Sequence, residues 1–144
     1  MIYLGVDPGE RTGVAYLEVT EDATPVLVHY EEVYGGARGF RTWWENNRPM
    51  NHDKLIVEDF ILRGGVHGVN IEPVRVIEFL SQFHPIMQTP AGRRTSVSDA
   101  VLKRLGVHLP GERLRNAREA VRHVIWRLKI ERHLPTLRVG WTSV

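Results

Sequence analysis

Ile2-Tyr3-Leu4-Gly5-Val6-Asp7-Pro8-Gly9-Glu10-Arg11-Thr12-Gly13-Val14-Ala15 is the stretch on which the reading of this chain turns. Ile2, Leu4 and Val6 alternate with Tyr3, Gly5 and Asp7, and both sets stay mostly apolar until Asp7. That pattern predicts a central strand covered on both faces and ending on a carboxylate. Pro8 to Gly13 predicts a turn, in which Gly9 and Gly13 let the chain fold back tightly and leave Asp7 exposed at the strand end. Val14 to Val19 reads as a second strand. A polar stretch over residues 20–24 leads to a third, Val26 to Tyr34. Three strands joined by short turns make an antiparallel meander.

Beyond the meander, helix and strand alternate. Phe40, Trp43 and Trp44 fall at i, i+3, i+4 and predict a helix, with the tryptophans packed beneath it. Leu55-Ile56-Val57 is a short buried-strand run ending in Glu58-Asp59. Arg63 to His67 forms, with Gly68, a glycine-rich loop, and Asn70 stands where it could cap a helix bearing Val76, Ile77, Leu80 and Phe83. Ile86 to Thr89 is a last short strand, and Ser96 or Ser98 caps a helix over Val101, Leu102 and Leu105. Glu112 to about His133 predicts the longest helix, its buried stripe being Ala117, Ala120, Val121, Val124, Ile125 and Leu128. Such an order predicts an α/β domain, a mixed sheet flanked by helices.

Composition limits the function classes. The chain has 144 residues, 42% hydrophobic and 25% charged, with no cysteine. That suits one globular domain over residues 1–144, without disulfides, thiol nucleophiles or thiolate metal sites. No apolar run approaches the roughly 20 residues of a membrane span, and a strand pattern from Ile2 leaves no room for a signal peptide. The expected setting is the cytoplasm. The net charge of +2 conceals a split. Residues 1–72 carry 6 Lys/Arg against 12 Asp/Glu, and residues 73–144 carry 13 against 5. An acidic half joined to a basic half calls for a cause.

Asp7, Glu58 and Glu119 are the candidate site carboxylates. If the first and fourth strands are adjacent and parallel, Asp7 and Glu58 emerge together at the carboxyl end of the sheet, where open α/β sheets place their sites. Clustered carboxylates repel each other unless a hard cation joins them, and oxygen donors without cysteine favour Mg²⁺ or Mn²⁺. Asn116 and Glu119 share a helix face at i, i+3, and His123 follows Glu119 at i+4 as a candidate proton shuttle or outer partner. Arg115, Arg118 and Arg122 form a stripe beside them that could hold phosphates.

Leu4-Gly5-Val6-Asp7-Pro8-Gly9 with Thr12-Gly13-Val14-Ala15 resembles the opening motif of the RuvC-type Holliday-junction resolvases of the RNase H-like superfamily. Leu55-Ile56-Val57-Glu58-Asp59-Phe60 is similar to that family's second motif. Asn116-Ala117-Arg118-Glu119-Ala120-Val121 is similar to its helix motif, and the arginine-rich wording looks most like the short resolvases of bacteriophages. Two departures stand out: Glu119 replaces the usual aspartate, and neutral Asn116 stands three residues before it.

The resemblance implies an RNase H-like fold: a mixed five-stranded sheet, three strands antiparallel and then two parallel, with helices on both faces. It implies a metal-dependent endonuclease acting on branched DNA as a homodimer, with two Mg²⁺ or Mn²⁺ ions held by Asp7, Glu58, Glu119 and Asn116, and Asp7 bridging. It implies DNA contacts from Arg93 and Arg94 after the fifth strand, and an aromatic wedge at Phe60. The cytoplasm would be the host's if the chain is of phage origin. Alternatives from the residues are a nuclease of broader taste for flaps and forks, or a DNA-binding module whose site has decayed. A sugar-kinase or actin-like ATPase shares the glycine-rich opening but needs two such domains to enclose a nucleotide, so no nucleotide cofactor is expected.

Overall fold

Alternation in the first strand has the expected outcome: its two sides feed two separate cores. The computed structural model describes residues 1–60, 71–89 and 96–141. Arg93, Arg94, the loop over residues 63–68 and Asn70 lie outside the described residues. Strands β1 (Ile2–Asp7), β2 (Thr12–Thr20), β3 (Ala23–Val33), β4 (Lys54–Glu58) and β5 (Ile86–Gln88) form one sheet in the order β3-β2-β1-β4-β5. β1, β2 and β3 pair antiparallel, whereas β4 runs parallel to both β1 and β5. The helices are α1 (Gly36–Thr42), α2 (Glu72–Leu80), α3 (Asp99–Arg104), α4 (Arg115–Ile130) and α5 (Leu134–Gly140).

One sheet face buries Tyr3, Ala15, Leu17 and Ile56 against α3 and α4, including the whole predicted stripe from Ala117 to Leu128. The other buries Leu4, Val6, Val14, Tyr16, Leu55 and Val57 against Phe40, Trp43, Trp44, Val76 and Leu80. Both tryptophans are buried, and Trp43 Nε1 donates to Glu31 Oε2 at 2.8 Å, so they are packing residues and no base-stacking platform. Because strand side chains alternate, Asp7 shares the α4 face with Tyr3 and Gly5, and Glu58 shares it with Ile56.

Several boundaries differ from expectation; β3, for one, spans Ala23–Val33 rather than Val26 to Tyr34, and α2 stops at Leu80, short of Phe83. β2 starts at Thr12, so Gly13 lies within a strand, directly opposite Asp7. Its missing side chain serves helix packing: a Cβ there would overlap the Asn116 carbonyl, and one on Gly5 would overlap the Ala120 carbonyl. α4 therefore lies on β1 and β2 backbone to backbone at these two points. The long helix is also shorter than predicted. It begins at Arg115 after a 3₁₀ turn (Glu112–Leu114) and ends at Ile130, and Arg132 (φ 57°) turns the chain into α5, a helix the periodicity does not reveal.

At the far end of α4, Glu131 is the hub of a polar cluster. It accepts from Tyr3 Oη (2.5 Å), Lys54 Nζ (3.1 Å) and Arg127 Nε (2.9 Å). Burial pushes the Glu131 carboxyl up, but these three donors together outweigh it and hold the group below its ordinary 4.5. A depressed carboxyl stabilises the fold above the unfolded value and loses that contribution as pH falls through the folded one. Glu131→Gln is therefore expected to cost about 1–2 kcal/mol at pH 7. The deficit, read by denaturant melts, should shrink below about pH 4.5.

Candidate active site

The site is assembled from three strand and helix ends. Val6 and Val57 are register partners in the parallel β1–β4 pair, so the next residues, Asp7 and Glu58, leave the sheet side by side. α4 crosses the same end. Asp7, Pro8, Glu58, Phe60, Arg115, Asn116 and Glu119 line one cavity of about 220 Å³. The four residues expected to hold metal are thus brought together, with Phe60 half-exposed at the wall and exposed Arg115 beside it.

α4 is held over the cavity from outside. Its preceding residue, Leu114, offers no side-chain cap. Glu32 on β3 fills that role instead, accepting from the Asn116 and Ala117 amides at 3.0 and 3.1 Å. The carboxylate thereby satisfies orphan donors at the positive end of the helix. Burial pushes its carboxyl up by more than those amides and Arg11 pull it down. Glu32 thus anchors the helix that carries Asn116 and Glu119.

Glu58 is supported from behind. His123 has no exposed surface, and its Nε2 lies 3.5 Å from Glu58 Oε2. Gln88, the register partner of Glu58 on β5, donates its amide to the His123 carbonyl (2.9 Å) and lies 3.1 Å from His123 Nδ1. Since the carbonyl can only accept, the atom facing Nδ1 is the amide nitrogen, and a neutral ring carries its proton on Nε2. A shuttle needs a route to water, and this imidazole is sealed, so His123 serves as a support for Glu58. Gln88 carries no signal in the sequence beyond being a polar residue in an apolar strand.

The expected arginine stripe separates into three different roles. Arg115 is exposed and pairs loosely with Glu112 at 3.7 Å. Arg118 donates to the Leu109 and Gly111 carbonyls at 2.8 and 2.9 Å, fastening the segment before α4. Arg122 is only 5% exposed and bonds Glu119, Val97 and Asp99, so it offers no surface to a phosphate. Spacing places three arginines on one face, but Arg122 is buried and half-buried Arg118 is engaged by two carbonyls. The Arg122 hydrogen bond holds the Asp99 carboxyl below the usual carboxylate range.

Three carboxylates and an amide suit a hard divalent cation by donor type. Among the described residues, however, no three His, Asp or Glu side chains are already gathered tightly around one point. Glu119 instead pairs with Arg122 at 3.2 Å, and Glu58 lies 3.5 Å from His123. The donor set fits the metal, with Glu119 parked on an arginine. Among the described residues no helix is long and apolar enough to cross a membrane.

No protein-family model matches the sequence, and neither does any curated protein. Solved structures do match in fold. RuvC of T. thermophilus in complex with a Holliday junction substrate superposes with a TM-score of 0.64 at 14% identity, covering 94% of this chain and 98% of that one. A second Thermus thermophilus RuvC structure gives 0.54 at 17% identity over 88% and 95% of the two chains. The Fowlpox virus resolvase, solved with Holliday junction DNA, gives 0.51 at 15% identity over 86% and 97%. This chain's mixed five-stranded sheet with its flanking helices therefore has the same fold as these resolvase structures.

Proposed function

We propose that this protein is a metal-dependent endonuclease that cleaves branched DNA, four-way Holliday junctions foremost, by phosphodiester hydrolysis. The observation that carries the reading is the single cavity lined by Asp7, Glu58, Asn116 and Glu119 at the carboxyl end of the sheet. Neighbours in fold solved on junction DNA support the choice of substrate.

Asp7 and Glu58, on adjacent strands, supply two carboxylates to one point of the sheet end, and α4 brings Glu119 and the neutral Asn116 oxygen across from them. Mg²⁺ or Mn²⁺, expected as two ions per site, would be held by Asp7, Glu58, Glu119 and Asn116 and would supply an activated water and stabilisation of the leaving 3′-oxygen. His123 and Gln88 keep Glu58 oriented. Arg115, exposed at the wall, holds a backbone phosphate, and Phe60 serves as a wedge against an unstacked base at the branch. Arg93 and Arg94 add charge from the segment after β5. A junction cut in two symmetric strands requires two sites, which a C₂ homodimer supplies. The arginine-rich wording of α4 favours the short phage branch of the family, working in the host cytoplasm.

Synthetic four-way, flap and linear duplexes, each with Mg²⁺, Mn²⁺ or EDTA, test the reading. Paired symmetric nicks in the four-way junction, absent in EDTA, are expected. Single nicks mainly on flaps would replace it with the broader nuclease. Tight junction binding without cleavage in either metal would make the protein a binding module, the outcome that neutral Asn116 favours.

A further inference from the structure

Arg122 is a buried, permanently charged group in contact with a site carboxylate, and the mechanism above leaves it without a part. Its Nε lies 3.2 Å from Glu119 Oε2. Nη1 donates to the Val97 carbonyl at 2.6 Å, and Nη2 donates to Asp99 Oδ1 at 2.5 Å. Val97 and Asp99 flank Ser98, whose hydroxyl accepts from the Val101 amide at the start of α3. Asp99 faces solvent, 56% exposed, while Glu119 is 8% exposed on the cavity side. One guanidinium is therefore shared between an inner carboxylate and an outer one.

We propose that Arg122 is a built-in cation that competes with divalent metal for Glu119, and that Asp99 sets how strongly it competes. The inference rests on the metal-dependent reading above. Glu119 Oε2 cannot serve a guanidinium and a divalent ion at full strength together. The arginine thus compensates the crowded carboxylates before metal arrives, and Glu119 can give a metal its full charge, through Oε2 as well as Oε1, only by loosening its hold on the arginine. Asp99 holds the guanidinium from the far side and weakens its grip on Glu119. Two ions would accordingly bind unequally: one on the Asp7–Glu58 side without this competition, the other only against Arg122.

Calorimetric titration of the whole protein with Mn²⁺ at pH 8, without DNA, reads the competition directly. Wild type is expected to show two unequal events. Arg122→Gln should tighten the weaker one by about tenfold, the scale of removing one charge a few ångströms away. Asp99→Asn should weaken it by about threefold, because the guanidinium then leans on Glu119 alone. A general change in field would persist without Glu119, so both variants are repeated in a Glu119→Gln background, where each effect should fall below about twofold.

Equal affinity in Arg122→Gln and wild type, or effects that survive in Glu119→Gln, would overturn the inference. If Arg122→Gln does not fold, Asp99→Asn decides alone, since its side chain is surface-exposed: weaker binding supports the competition, unchanged or tighter binding overturns it. Mn²⁺ binding that Asp7→Asn abolishes but Arg122 and Asp99 variants leave untouched removes this inference and leaves the proposed function standing. No Mn²⁺ binding by wild type removes both.

Discussion

Asp7→Asn is expected to leave a folded protein that binds four-way junctions as wild type does and cleaves them about a thousandfold more slowly in Mg²⁺ or Mn²⁺. The substitution is nearly isosteric and changes one oxygen of a group at the end of β1, so the β1–β2 and β1–β4 ladders are undisturbed. It does remove the charge on which the proposed bridging position depends. A thousandfold loss corresponds to about 4 kcal/mol of transition-state stabilisation, the scale of a ligand shared by two charges. Stability should move the other way. Asp7 shares its cavity with Glu58 and Glu119, so neutralising it relieves repulsion and leaves the melting temperature equal or higher. Cleavage kinetics paired with a thermal melt separate these effects. Full cleavage by the variant would discard the assignment, and a lower melting temperature would show that Asp7 is structural.

The second large effect concerns packing. Gly13→Ala is expected to destabilise the protein by about 3 kcal/mol, near the top of the usual range for overfilling a packed interior. That corresponds to a fall of roughly 10 °C in melting temperature for a chain of this size. A Cβ on Gly13 overlaps backbone atoms of Asn116 and Ala117, and no side-chain rotamer can relieve a clash with main chain. The helix must lift, carrying Asn116 and Glu119 with it, so any folded remnant should also lose cleavage. Gly9→Ala is the control. Its Cβ would meet the Arg11 carbonyl at 3.0 Å in the turn, which can adjust by a few tenths of an ångström. Comparable losses in the two variants would show that the helix approach is not what Gly13 serves.

Much of this architecture is legible in the residues because each decisive strand states its own end. β1 and β4 are apolar runs that stop on an acid, and period-two alternation assigns both acids to one face. The long helix shows its buried stripe for the same reason. Boundaries and facing are less legible. Simple alternation cannot give the facing of Glu32, because β3 carries a bulge where Leu17 pairs with Leu27 and Tyr16 with His29. The extra residue shifts the phase, so Leu27 and Glu32, of opposite parity, both face α4. Arg122 was read as a phosphate contact because helical spacing gives a stripe without saying which long side chains fold inward. Two of its partners, Val97 and Asp99, lie more than twenty residues away, beyond any local pattern. Gln88 is invisible for a related reason: its meaning comes from standing beside Glu58 across a parallel ladder.

The helix that crosses the sheet end also sets when, under the proposed function, the site becomes complete. Asp7 and Glu58 are synthesised early, but Glu119 follows Glu58 by sixty-one residues. At about 5–20 residues per second a growing chain spends roughly 3–12 seconds with two of its three carboxylates made and the third still missing. A nascent or truncated product ending before α4 would hold the paired strand ends without Asn116 and Glu119. Under the proposed function, putting the last acid on a late helix means that a chain stalled midway carries an incomplete site.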